Sequence, residues 1–259
     1  MRIPVTPRTC RSALLFIVTV LGWVAPARAQ SSLLSRTACD DSTSSRQLIT
    51  GTVHSFRQLP SKESLGILAA GAAATLAVRP LDGEVNEHPS NGTSLRNAFR
   101  PGTIVGGTPL QLGAALTTYA IGRALNKPCA VSVGADLVQA QLMATALTVA
   151  FKQATRRSRP EGSGFSFPSG HTSTAFASAT VLQRRFGWKV GVPAYAIASY
   201  VAASRVEMRR HYWSDVAFGA TIGIIAGRTV TVGHGHQFML VPLVSPDGAG
   251  AAFTWIGKK

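Results

Sequence analysis

The sequence predicts an all-α protein: a helical bundle of about six helices with a small C-terminal β-hairpin. Three observations carry that reading. Uncharged, Ala- and Gly-rich stretches recur between Ser64 and Val230, each of helical length. Breakers punctuate them at Arg79-Pro80, Asn126-Lys127-Pro128 and Phe186-Gly187. The tail differs, because Gln237–Val244 and Gly250–Ile256 flank Ser245-Pro246-Asp247-Gly248, a strong turn signal.

In chain order, Arg2, Arg8 and Arg11 precede an apolar run from Ala13 to Ala25, and Ala27 and Ala29 offer small residues to a signal peptidase. This three-part pattern predicts a signal peptide over 1–29, with an uncleaved membrane anchor as the alternative. Residues 30–60 are rich in Ser, Thr and charge and read as a lead-in, with a short helix near Leu48–Leu59. A helical domain follows over 61–233. Its helices are expected at Ser64–Val78, Pro109–Leu125, Asp136–Thr155, Ser169–Phe186, Val190–Met208 and Trp213–Val230. Residues 81–108 read as a long polar, Gly-rich connection, and 156–168 as a loop. Residues 234–259 form the hairpin.

Composition narrows the setting. Charged residues are 14% of the 259, against roughly 25% in ordinary soluble domains. Such helices are buried on most sides or lie in contact with lipid. The net charge of +15 attracts anions: nucleic acid, lipid headgroups or phosphate substrates. Export and the lack of an extended basic-aromatic stripe set nucleic acid aside. Cys10 falls in the signal peptide, so Cys39 and Cys129 remain, an even pair that suits a disulfide in an oxidising compartment. His234 and His236 have no neighbouring carboxylate or thiol in the sequence, and no metal is expected.

Three clusters carry chemistry: Lys152-x6-Arg159-Pro160, Pro168-Ser169-Gly170-His171, and Ser204-Arg205-x5-His211-x3-Asp215. Each alone is ordinary, as a solvated helix end, an N-cap or a local hydrogen bond. Together they bring three cations, two histidines and a carboxylate to the ends of adjacent helices. That is the composition of an oxyanion site. Arg159 and Arg205 offer planar forks for phosphate oxygens, and Lys152 offers a point charge. Ser169, Gly170 and His171 stand where a helix begins, where free N–H groups favour an anion. Gly170 lets the backbone come close, and Ser169 can cap the helix and donate its hydroxyl. Arg156 and Arg157 read as cations of a solvated loop.

The histidines divide the work. Asp215 lies one helical turn after His211, so a carboxylate can fix the ring tautomer and leave the other nitrogen free to attack. His171 is placed to protonate the leaving oxygen as general acid, and then to activate water against the phosphohistidine.

The segments KQATRRSRP, FPSGHT and SRVEMRRHYWSD, with their internal spacings, resemble the type 2 phosphatidic acid phosphatase superfamily, which includes acid phosphatases and vanadium haloperoxidases. The resemblance spans residues 152–215 and implies an α-helical bundle. It implies that Lys152, Arg159, Ser169, Gly170 and Arg205 bind phosphate, that His171 is the general acid, and that His211 is the nucleophile oriented by Asp215. The implied activity is metal-independent hydrolysis of phosphomonoesters or diphosphates, on small-molecule or lipid substrates, with no cofactor. The alternatives are a vanadate-dependent haloperoxidase, the one case that calls for vanadate, and a catalytically silent anion- or lipid-binding protein.

Span length bears on location. Most uncharged stretches are shorter than the roughly 20 residues a span requires. An exported enzyme, periplasmic or extracellular and associated with a membrane surface, is favoured. Low charge and Ala/Gly packing keep the integral membrane alternative in view.

Overall fold

The computed structural model describes residues 45–87 and 92–232, together with the backbone of two strands, Gln237–Ser245 and Gly248–Ile256. The expected signal peptide, the first part of the lead-in with Cys39, and the His234/His236 pair lie outside the described residues. Cys129 is disulfide-bonded.

The protein is all-α in its described body. Eight helices there have 14 residues or more. In chain order the helices are α1 (Ser45–Gln58), α2 (Lys62–Val78), the short α3 (Asp82–Glu87), α4 (Gly92–Val105), α5 (Thr108–Ala124), α6 (Pro128–Thr155), α7 (Gly170–Phe186), α8 (Trp188–Glu207) and α9 (Trp213–Val230). Outside this body the backbone of Gln237–Ser245 runs antiparallel to Gly248–Ile256.

Two departures from the sequence reading have physical causes. The expected connection over 81–108 is largely helical, as α3 and α4. Pro101 sits inside α4, and two of the glycines that suggested a loop, Gly102 and Gly106, serve packing instead. A Cβ on Gly102 would lie 2.5 Å from Ser204 Oγ, and one on Gly106 2.2 Å from Val201 Cγ1, so α4 presses its backbone onto α8. The third expected helix begins at Pro128 rather than Asp136. Proline suits the first helical turn, where its missing N–H has no partner to lose.

Small residues set the other contacts. Gly219, Gly223 and Gly227 form a stripe along α9. Cβ atoms there would stand 2.7 Å from Ser169 O, 2.4 Å from Ser173 O and 2.6 Å from Thr180 Cβ, so α7 and α9 approach almost backbone to backbone. Gly122 of α5 and Gly134 of α6 do the same for that pair. Gly71 of α2 seats Thr221 of α9. Between these contacts one apolar cluster gathers Met143, Val181, Phe218 and Ile222, and a second gathers Phe176, Val201 and Val216. Burying each such side chain contributes about 1.5–3 kcal/mol. The result holds the C-terminal end of α6 and the N-terminal ends of α7 and α9 in fixed relation.

Candidate active site

The first motif is built where α6 ends. Arg156 leaves the helix in the left-handed region (φ 46°), its N–H closing on Lys152 O. The following loop doubles back, with Ser158 bridging Phe165 and glycines at φ 86° and 64° (Gly162, Gly164), angles at which any other residue would be strained. Lys152 Nζ then donates to Phe165 O (2.9 Å) and Ser166 O (3.2 Å), and Arg159 Nε to the same Phe165 O (3.3 Å). The two cations are thus held against one carbonyl.

The second motif opens α7. Ser169 is the N-cap and fully buried, and its N–H donates to Asp215 O (3.0 Å), which ties the start of α7 to the start of α9. Its hydroxyl does not cap the helix, contrary to the sequence reading. It accepts from Thr172 Oγ1 (3.0 Å) instead, which leaves its own proton available. A Cβ on Gly170 would meet only Thr148 Cγ2, at 3.6 Å, an ordinary contact. No protein packing therefore requires glycine at 170. His171 follows, half-buried, hydrogen-bonded to the backbone of Thr103.

The third motif spans the α8–α9 junction. Arg205 is 5% exposed, and its Nη1 donates to Thr103 Oγ1 (2.9 Å). Its Nε has no hydrogen-bond partner, and the side chain forms no salt bridge among the described residues. The chain reverses at Arg209 (φ 54°), so that Arg205 O accepts from both Arg210 N (3.0 Å) and His211 N (3.2 Å). One turn therefore fixes Arg205 and His211 together. His211 is buried, and its Nδ1 faces Asp215 Oδ2 at 3.6 Å with no other partner. That gap is slightly long for a hydrogen bond, and contacts of this kind tighten when substrate binds.

Electrostatics follow from this enclosure. Burial, with Lys152 and Arg205 nearby, pushes His211 down to about 4 against the pull of Asp215. Burial, then Arg205, His211 and Arg159, push His171 down to about 4. Burial alone would raise the Asp215 carboxyl. Neighbouring His211, hydrogen bonds from Ser166 and Tyr212, and the charge of Arg157 outweigh it and hold Asp215 below the ordinary range. The arrangement offers an anion a cluster of positive groups beside two neutral imidazoles.

Several contributors were not read from the sequence. Arg157 is not a solvated loop cation. It lies over the Tyr212 ring (4.0 Å) and donates to Asp82, Ser214 and Asp215. Ser166, fully buried, donates to Asp215 Oδ2. Thr103 of α4 serves both His171 and Arg205. Glu161 takes Arg210 and, at 3.7 Å, Arg159 at the mouth of the site.

Residues 134–238, which contain every motif residue above, match the PAP2 superfamily. That stretch of the chain is similar to the PAP2 superfamily. Among curated relatives, the lipid A 1-phosphatase of Porphyromonas gingivalis is 44% identical over 75 residues, 27% of this chain and 17% of that protein. The decaprenylphosphoryl-5-phosphoribose phosphatase of Mycobacterium tuberculosis is 34% identical over 106 residues, 37% of this chain and 58% of that one. The matches thus span less than two thirds of either relative. Among solved structures, a transmembrane PAP2-type phosphatidylglycerolphosphate phosphatase from Bacillus subtilis aligns over 72% of this chain and 94% of its own, with 21% identity and a TM-score of 0.48. The two curated relatives are, by name, lipid phosphate phosphatases, and both are distant.

Proposed function

We propose that this chain is a PAP2-type, metal-independent lipid phosphate phosphatase that works through a phosphohistidine at His211. The observation that carries the reading is Arg205, a buried cation without a carboxylate partner, set beside a neutral, carboxylate-facing histidine. A buried charge is costly unless paired. A phosphate supplies the pair that the protein withholds.

In this mechanism Lys152, Arg159 and Arg205, with the Ser169 hydroxyl and the N–H groups at Gly170 and His171, hold the phosphoryl oxygens. Asp215 keeps the proton on His211 Nδ1, and Nε2 attacks phosphorus. The P–O bond to the leaving group breaks as P–N forms, and His171 gives its proton to the departing oxygen. His171 then takes a proton from water, whose oxygen displaces His211 and releases phosphate. The three cations supply the charge neutralisation that phosphoryl transfer requires. Lipid phosphates are the proposed substrates because the curated relatives act on them by name and because apolar helix faces lie open in this chain.

The test is phosphate release by the full chain in EDTA, from an aryl phosphate, phosphatidic acid and an isoprenyl diphosphate, beside His211→Ala. Turnover that survives EDTA, favours the lipids and disappears in the variant while vanadate still binds is the expected result. Turnover retained by His211→Ala would sink the nucleophile assignment.

A further inference from the structure

The phosphatase reading leaves a buried ionic group beside the site without a role. Asp82, 7% exposed at the start of α3, lies outside all three motifs. Its Oδ1 accepts from Ser214 N (3.0 Å), and its Oδ2 accepts from Ser214 Oγ (2.5 Å) and Arg157 Nη2 (2.9 Å). Arg157 Nη1 in turn donates to Ser214 Oγ (2.7 Å) and Asp215 Oδ1 (2.9 Å). The guanidinium thus spans two carboxylates with its planar fork.

The consequence lies in which Asp215 oxygen is free. Arg157 occupies Oδ1, and Oδ2 is left to Ser166 Oγ, Tyr212 N and the facing His211 Nδ1. Rotation of the carboxylate would cost the Arg157 bond, so the fork fixes the edge that Asp215 turns toward His211. Asp82 holds the other end of the fork. It also satisfies the N–H of Ser214, one of the groups at the start of a helix that have no partner within it. Tyr212, the N-cap residue of α9, lacks the short oxygen-bearing side chain that usually does this.

We propose that Arg157 and Asp82 are positioning residues for phosphoryl transfer, acting through Asp215 on the orientation of His211. The proposal rests on the phosphatase reading above. It differs from a purely structural role in what it predicts. Among the described residues no side-chain hydrogen bond or ion pair joins the phosphate-holding cations Lys152, Arg159 and Arg205 to Arg157 or Asp82, so loss of the fork spares anion binding and slows chemistry.

The experiment measures kcat, KM and vanadate inhibition for wild type, His211→Ala, Arg157→Ala, Arg157→Lys and Asp82→Asn, using the full chain and the best of the three substrates. Arg157→Ala is expected to lower kcat by about 30-fold, within the range seen when a partner that orients a functional histidine is removed, with KM and vanadate inhibition unchanged. Added guanidinium restores part of the kcat. Arg157→Lys keeps the charge but not the fork, and it remains slow. Asp82→Asn keeps the shape, shows the same split, and carries the test where Arg157→Ala does not fold. An unaltered kcat in Asp82→Asn and the Arg157 variants overturns the proposal. So does a parallel loss of kcat and vanadate affinity without guanidinium rescue. An inactive wild type, or an active His211→Ala, overturns the phosphatase reading and this proposal with it, and is recognised before any Arg157 or Asp82 variant is compared.

Discussion

At the residue scale the site is organised around charge that the protein leaves unbalanced. Arg205 is the clearest case. Burial and the neighbouring Arg210 and Arg159 push it down to about 10, still a cation at neutral pH. Removing it relieves a desolvation cost, so Arg205→Met is expected to keep or raise thermal stability, by about 1 kcal/mol or more, while phosphate and vanadate affinity collapse. A melting curve with and without vanadate checks both halves, and a large destabilisation by Arg205→Met would count against the unpaired-cation account. The histidines make a second prediction. With both near 4 in the free protein, both are neutral at pH 6–8. Neutrality is what a nucleophile at His211 requires, so kcat/KM should fall as pH drops below about 4. His171 must instead be protonated to act as an acid. The bound phosphate dianion, beside it, raises its pKa in the complex, so kcat should fall on the alkaline side at a pH well above 4. A profile of kcat with no alkaline limb, where chemistry limits the rate, would remove His171 as the acid.

At the element scale, catalytic geometry depends on how closely α7 and α9 approach. Gly223→Ala would put a Cβ 2.4 Å from Ser173 O. Either α7 moves away or the backbone strains, at a cost of about 1–3 kcal/mol. Ser169 and His171 ride on α7, so activity falls further than stability alone explains. Gly170→Ala, whose Cβ meets Thr148 at an ordinary 3.6 Å, should fold normally, and its activity then reports whether the anion itself needs the space. Denaturation midpoints beside kcat/KM for the two variants check this contrast. The same elements show what a sequence can reveal. Helix ends are local features, so the three motifs and their places at the ends of α6, α7 and α8 could be read from spacing. The partners of those motifs could not. Thr103 meets Arg205 across 102 residues and Asp82 meets Ser214 across 132, and no local pattern announces either. Segment 81–108 misled for a related reason. Gly102 and Gly106 look like loop glycines until α8 is seen against them. Arg157 looked solvated because its carboxylates come from elsewhere in the chain.

At the scale of the whole molecule, the surface poses the question of where such a protein rests. Among the described residues two helical stretches, Lys62–Leu81 and Pro128–Thr155, are long and apolar enough to cross a membrane. They differ in setting. Pro128–Thr155 is mostly buried by its neighbours, as a core helix would be, whereas Lys62–Leu81 is mostly uncovered. Leu65 and Leu76 of α2 are 66% and 64% exposed, and α5 turns Leu110, Leu116, Ile121 and Leu125 outward. An apolar surface of that extent is costly in water, and a lipid phase removes the cost. The net charge of +15 adds attraction to anionic headgroups. The proposed location is therefore a membrane, with α2 in lipid and the site supplied with substrate from the same surface. Ala69 and Ala73 lie on the exposed side of α2, one turn apart near its middle. Glutamate is nearly as good a helix former as alanine, so Ala69→Glu with Ala73→Glu leaves the fold intact in water. In lipid each charge costs about 3 kcal/mol near a helix centre. The wild-type chain is expected to stay in the membrane pellet after an alkaline carbonate wash, and the double variant to leave it or fail to accumulate there. Turnover of a water-soluble aryl phosphate by the released variant should match wild type, while turnover of phosphatidic acid in vesicles should fall. A wild-type chain that washes off completely would instead place the enzyme in solution and leave the open faces of α2 and α5 to some other partner.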